Sequence, residues 1–121
     1  MDMDKLLIKL AGNGFIVVLF LMMLAEASFA GTLVAALLLS VAAWFLGDRF
    51  VLPKTNNVTA TAVDAILAAM VLWAAAKLAP WTLNVAELIG LVVILGAFEF
   101  LFHFFLQRDP YYRGEAGRAQ A

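Results

Sequence analysis

The 121-residue chain has no cysteine, a single histidine, three prolines and few charges, with Asp, Glu, Lys and Arg making up only 14% of it. Without cysteine there is no disulfide and no thiolate to serve as nucleophile or metal ligand. Eight Lys/Arg residues against nine Asp/Glu leave a formal net charge of −1. The basic excess expected of a nucleic-acid partner is therefore missing, and we expect no nucleic acid to bind. An average soluble domain is about 25% charged and roughly 45–50% apolar, whereas this chain is 65% hydrophobic. A chain this short cannot bury so much apolar surface in a water-soluble core. Lipid has to be the solvent for much of it.

Four apolar runs are present, at about residues 6–24, 30–50, 59–79 and 85–106. Each is close to the ~20 residues that cross ~30 Å of hydrocarbon at ~1.5 Å per residue. The two-residue alternation of strands is absent, and a barrel would need several times as many segments. The expected fold is thus an all-α polytopic membrane protein. The short connections Glu26-Ala27-Ser28-Phe29 and Pro80-Trp81-Thr82-Leu83-Asn84 make its four helices two antiparallel hairpins. Lys5 and Lys9, the apolar residues 15–24 and then Ala25-Glu26-Ala27 imitate a secretory leader. We read that segment as a retained membrane helix. Residues 1–107 then form the transmembrane domain. Residues 108–121, polar and rich in small side chains, form a flexible tail too poor in apolar residues to fold alone. Alanine pairs in the second and third runs, with Gly90 and Gly96, permit close helix approach in lipid.

Lysine and arginine placement predicts the orientation. Lys5, Lys9, Arg49, Lys54, Arg108, Arg113 and Arg118 fall on one side, and Lys77 alone on the other. Both termini and the stretch between the hairpins should face the cytoplasm. That stretch is a polar, proline-bearing joint, where Asp48, Arg49, Pro53, Lys54 and Asn57 are the residues of interest. Asp48 and Arg49 read as a local ion pair at a helix end. Arg49 and Lys54 serve either as topological anchors or as contacts for anionic headgroups.

Depth singles out a second group. Asp64 lies roughly 7 Å, Glu99 about 5 Å and His103 about 11 Å from its helix midpoint, all on the cytoplasmic side. Lys9 and Asn13 share that depth. Ionisable groups at the bilayer centre cost at least ~2.5–3.5 kcal/mol each and face protein or a water-filled cavity. Asp64, Glu99, His103, Asn13 and Lys9 are therefore a candidate buried polar cluster. Glu99 and His103, four residues apart, share one helix face. Such a cluster serves as a structural network, a proton or ion site, or a metal site. Two ligands are too few for zinc unless Asp64 adds a third, so no metal and no cofactor are expected. Glu87 stands in the first turn of the fourth helix, where the helix dipole favours a carboxylate.

The joint Gly47-Asp48-Arg49-Phe50-Val51-Leu52-Pro53-Lys54-Thr55-x-Asn57 continues into Ala60-Thr61-x-x-Asp64, and the fourth helix holds Glu99-x-x-x-His103. Together these resemble the YndM-like family, small four-helix membrane proteins of unknown function from spore-forming Gram-positive bacteria. Phe98 stands where the pattern has glycine. The resemblance implies four helices in the bacterial cytoplasmic (inner) membrane and carries no activity with it. With no nucleophile motif or phosphate loop, no catalytic residue is assigned and the chain is read as a non-enzyme. The leading expectation is a self-associating structural or accessory component, holin-like assemblies included. Its partners are the lipid bilayer, further copies of itself or another membrane protein. The alternative is a small proton- or cation-coupled transporter or channel using Asp64, Glu99 and His103.

Overall fold

A computed structural model describes residues 3–113. The chain is an all-α polytopic membrane protein with four helices long and apolar enough to cross a bilayer. Helix α1 spans Met3–Leu24, α2 Phe29–Lys54, α3 Asn57–Leu78 and α4 Val85–Leu106. A 3-10 turn at Pro110–Tyr112 follows. α1 packs on α2 and α4, and α3 packs on the same two helices, so the four close a ring.

Side chains fix most helix ends. Ser28 Oγ accepts from the Gly31 amide at 3.0 Å to start α2. Asn56 Oδ1 accepts from the Thr59 amide at 2.8 Å to start α3. Asn84 and Glu87 form a reciprocal capping box on α4, each side chain accepting from the other's backbone amide. Glu87 therefore satisfies a backbone donor as well as the helix dipole.

The expected joint is not a linker. α2 runs on through Trp44–Val51 as a π-helix and resumes α-geometry at Leu52–Lys54. Only Thr55 and Asn56 separate it from α3. Proline lacks an amide, and its ring crowds the carbonyl four residues back. The wider π-turns just before Pro53 are one of the recognised ways a helix absorbs such a break. The expected tail also differs, because Tyr112 is fully buried against Trp44, Leu52 and Leu106. The rest of the tail, 114–121, lies outside the described residues.

The bundle is apolar outside, and its interior holds two apolar layers with polar side chains between them. Phe15, Leu38, Ile66 and Leu101 point outward and are each at least 60% exposed, as lipid-facing side chains are. Inside, one apolar layer toward the hairpin turns contains Val17, Leu21, Leu39, Leu72, Leu91 and Leu95. A second layer toward the opposite end contains Trp44, Leu52, Ala60, Phe102, Leu106 and Tyr112. Close approach occurs at glycines other than those expected. A β-carbon at Gly90 or Gly96 would meet no neighbour within 4 Å. One at Gly12 would collide with the Phe98 ring of α4, and one at Gly47 with the Asp64 carboxylate of α3. At those two positions a side chain of the facing helix fills the space of the missing β-carbon.

Candidate functional site: a buried carboxylate cluster

Between the two apolar layers all four helices contribute polar side chains. Lys9 and Asn13 come from α1, Asp48 from α2, Asp64 from α3, and Glu99 and His103 from α4. Lys9, Asp48 and His103 are fully buried, and Asn13, Asp64 and Glu99 are at most 3% exposed.

The Lys9 ammonium is the hub. Its Nζ lies 2.5 Å from Asp48 Oδ2, 2.9 Å from Glu99 Oε2 and 3.8 Å from Asp64 Oδ2. Asn13 Nδ2 donates to Glu99 Oε1 at 2.9 Å. His103 is the second hub, with Nε2 2.8 Å from Asp48 Oδ1 and 3.0 Å from Asp64 Oδ2. Its Nδ1 lies 2.8 Å from Asn57 Oδ1 and 3.1 Å from Thr61 Oγ1. The Asn57 amide is oriented by Nδ2, which donates to the Phe100 carbonyl at 3.0 Å, so its oxygen faces the ring. A ring with acceptors at both nitrogens is hydrogen-bonded as an imidazolium.

The charges can then be counted. Asp48, Asp64 and Glu99 carry three negative charges when ionised, against two positive charges on Lys9 and His103. With all five ionised, one negative charge is left over among side chains with little or no exposed surface. Two acceptors are also left over, because Asn13 Oδ1 and Asp64 Oδ1 are buried with no hydrogen-bond partner among the described residues.

Asp48, Asp64, Glu99 and His103 can each turn a ligand atom to within 4.8 Å of the others', the spacing of a metal site. The Lys9 ammonium stands among the same oxygens, however, and already neutralises part of their charge. A divalent ion would have to displace it. The donor set is therefore better matched to protons and to an added single charge.

The residues expected at the joint divide. Asp48 pairs with Lys9 and His103 inside the bundle, not with Arg49 at a helix end. Asn57 is also interior, holding the His103 ring and tying α3 to α4. Pro53 is buried beside Leu52. Arg49 donates to the Tyr112 hydroxyl at 3.0 Å, with its guanidinium over the Tyr111 ring. Lys54 is exposed, its ammonium over the Phe50 ring. The sequence places Asp48 at the joint and not in the cluster because Gly47-Asp48-Arg49 looks like the end of a segment. The signal that finds it is Trp44, Asp48 and Leu52, one buried stripe at four-residue spacing that continues past Asp48.

No solved structure matches the chain. A relative from Bacillus subtilis (strain 168), described as "Uncharacterized membrane protein YndM", is 33% identical over 88 residues. The match covers 69% of this chain and 48% of the relative, so the chain spans about half the length of that protein. Residues 1–120 match the family described as "Protein of unknown function (DUF2512)". The chain that carries this buried cluster thus belongs to the DUF2512 family.

Proposed function

We propose that this membrane protein takes up and releases a proton or small cation at the buried cluster, as a small transporter or channel without a catalytic step. The charge imbalance carries this reading. A network serving only to hold helices together gains nothing from an uncompensated charge, and burying an ion costs several kcal/mol even after relaxation. An added proton or cation removes that cost. Intramembrane ionisable groups in a bundle interior commonly mark ion paths and proton relays. The proposed setting is the bacterial inner membrane with both termini cytoplasmic, which puts the cluster in the cytoplasmic half.

Proteoliposome flux, with and without a pH gradient, tests the proposal on wild type and Glu99→Gln. Flux that depends on Glu99 supports it. Wild-type vesicles no more permeable than empty ones overturn it.

A second reading is a self-associating structural or accessory component, holin-like pores included. It is favoured by the participation of all four helices, which makes the cluster a cross-brace. Under this reading Glu99→Gln lowers stability and no ion moves. Either reading is compatible with further copies of the chain or another membrane protein as partner. We propose a two-fold dimer, the commonest symmetry. Mass measurement in mild detergent checks this, and monomer at every concentration counts against it.

A further inference from the structure

Beside the cluster is a cavity of about 10 Å³, room for one particle of roughly the size of a water molecule. Asn13, Asp64 and Glu99 give it a polar wall, and Leu39, Ala68 and Leu95 contribute to an apolar one. Two of its polar residues bear the unpartnered oxygens, Asn13 Oδ1 and Asp64 Oδ1. The third unpartnered buried atom, Ser40 Oγ, is outside this lining. The Asn13 amide cannot turn its nitrogen inward at no cost, because Nδ2 is committed to Glu99 Oε1. An amide oxygen and an ionised carboxylate oxygen only accept. Asp64 Oδ1 abuts Gly47 on one side, so the unmet capacity of the two oxygens calls for positive charge or hydrogens from the cavity.

We infer that this cavity binds one dehydrated alkali cation, Na⁺ in preference to K⁺, through Asn13 Oδ1, Asp64 Oδ1 and the Glu99 carboxylate. The inference rests on reading the cluster as an ion-handling site, and it names the ion. A single positive charge equals the excess negative charge of the cluster. The donors are all oxygen, and two of the three are carboxylates, which suits a hard cation. Mg²⁺ keeps several of its waters in an octahedral shell, and Ca²⁺ takes roughly 6–8 oxygens. Neither fits a space for one particle. Coulomb attraction grows as the ion–oxygen separation shrinks, so carboxylate oxygens reward the smaller ion for losing its water more than the larger one. Asn13 supplies the neutral oxygen that completes the site without adding charge.

The test uses the full chain in nanodiscs, with radioactive ²²Na⁺ equilibrium binding and thermal unfolding read side by side. Choline holds ionic strength constant. Wild type is expected to bind one Na⁺ per chain, to gain thermal stability from Na⁺, and to lose the label to excess cold Na⁺ sooner than to K⁺. Asp64→Asn and Asn13→Ala should each weaken binding by about tenfold or more, the scale of losses when groups that hold a metal ion are removed. Unfolding midpoints in choline report whether each variant is folded, and Asp64→Asn preserves shape where Asn13→Ala opens space. Folded wild type that binds no ²²Na⁺ overturns the inference and identifies the cavity as a water site. Folded Asp64→Asn that binds like wild type overturns it as well. If Glu99-dependent proton flux runs equally in choline while no ²²Na⁺ binds, the sodium site is wrong and the ion-handling function stands. If neither ion is bound or moved, both fall.

Discussion

The Asp64 carboxylate occupies the space that a β-carbon on Gly47 would need. α2 and α3 touch there with a charged group in place of a methyl, and the contact aims Asp64 at His103 and Lys9. Gly47→Ala should push Asp64 aside and strain both its pairings. Overpacking of this kind costs about 1–3 kcal/mol. Unfolding of the variant in detergent measures it, and a variant as stable as wild type would contradict the packing described.

Lys9 is the residue whose loss should be felt most. Lys9→Met leaves three buried carboxylates facing one imidazolium. Removing one partner of a buried ion pair typically costs about 3–5 kcal/mol. Adding Glu99→Gln to Lys9→Met removes one of the stranded charges and should restore part of the loss. A double-mutant cycle on unfolding midpoints checks this coupling, and strict additivity would show that the two groups do not share a network.

Tyr112 closes the end of the bundle where α1 begins and α4 finishes. Its ring centroid lies 6.4 Å from that of Trp44, and its hydroxyl accepts from Arg49. Tyr112→Phe keeps the ring and loses the hydrogen bond from Arg49, a change of about 1 kcal/mol. Tyr112→Ala empties the site, for which about 3–5 kcal/mol is typical. Arg108 and Arg113 are already exposed, and the released turn should free the backbone beside them for trypsin, so cleavage rates rise from wild type through Phe to Ala. Equal rates for all three would contradict the seal.

Orientation is checked with single cysteines in this cysteine-free chain. Thr82 and Lys54 are exposed at opposite ends of the bundle and neither caps a helix, so both tolerate replacement. In intact cells an impermeant thiol reagent should label Thr82→Cys, and Lys54→Cys only after lysis. The reverse pattern would invert the proposed topology.

The four helices were legible because ~20-residue apolar runs leave few alternatives in lipid. Depth along each run was legible too, and Lys9, Asn13, Asp64, Glu99 and His103 do meet in one layer. The role of α2 was not. A π-helix has no propensity signature, and Pro53 after Gly47-Asp48-Arg49 reads locally as a stop. Only packing shows that the helix continues, because Leu52 and Pro53 are both buried. Asn57 reads as part of the polar joint, and Thr61 only as part of the motif that follows it. Their service to His103 depends on the crossing of α3 over α4, which no local pattern encodes. Tyr112 was read as tail for a similar reason, since two tyrosines after a proline do not reveal that one of them is covered.

The cluster lies between two apolar layers, and this separates it from the salt in the surrounding water. Exposed charges are muted beyond about 8 Å at physiological ionic strength, but no diffuse ion atmosphere forms in a layer where Lys9, Asp48 and His103 have no exposed surface. Adding an inert salt should leave these pairings as strong as before. Their strength is set by where four helices stand, and a small sliding of one helix along another would change it.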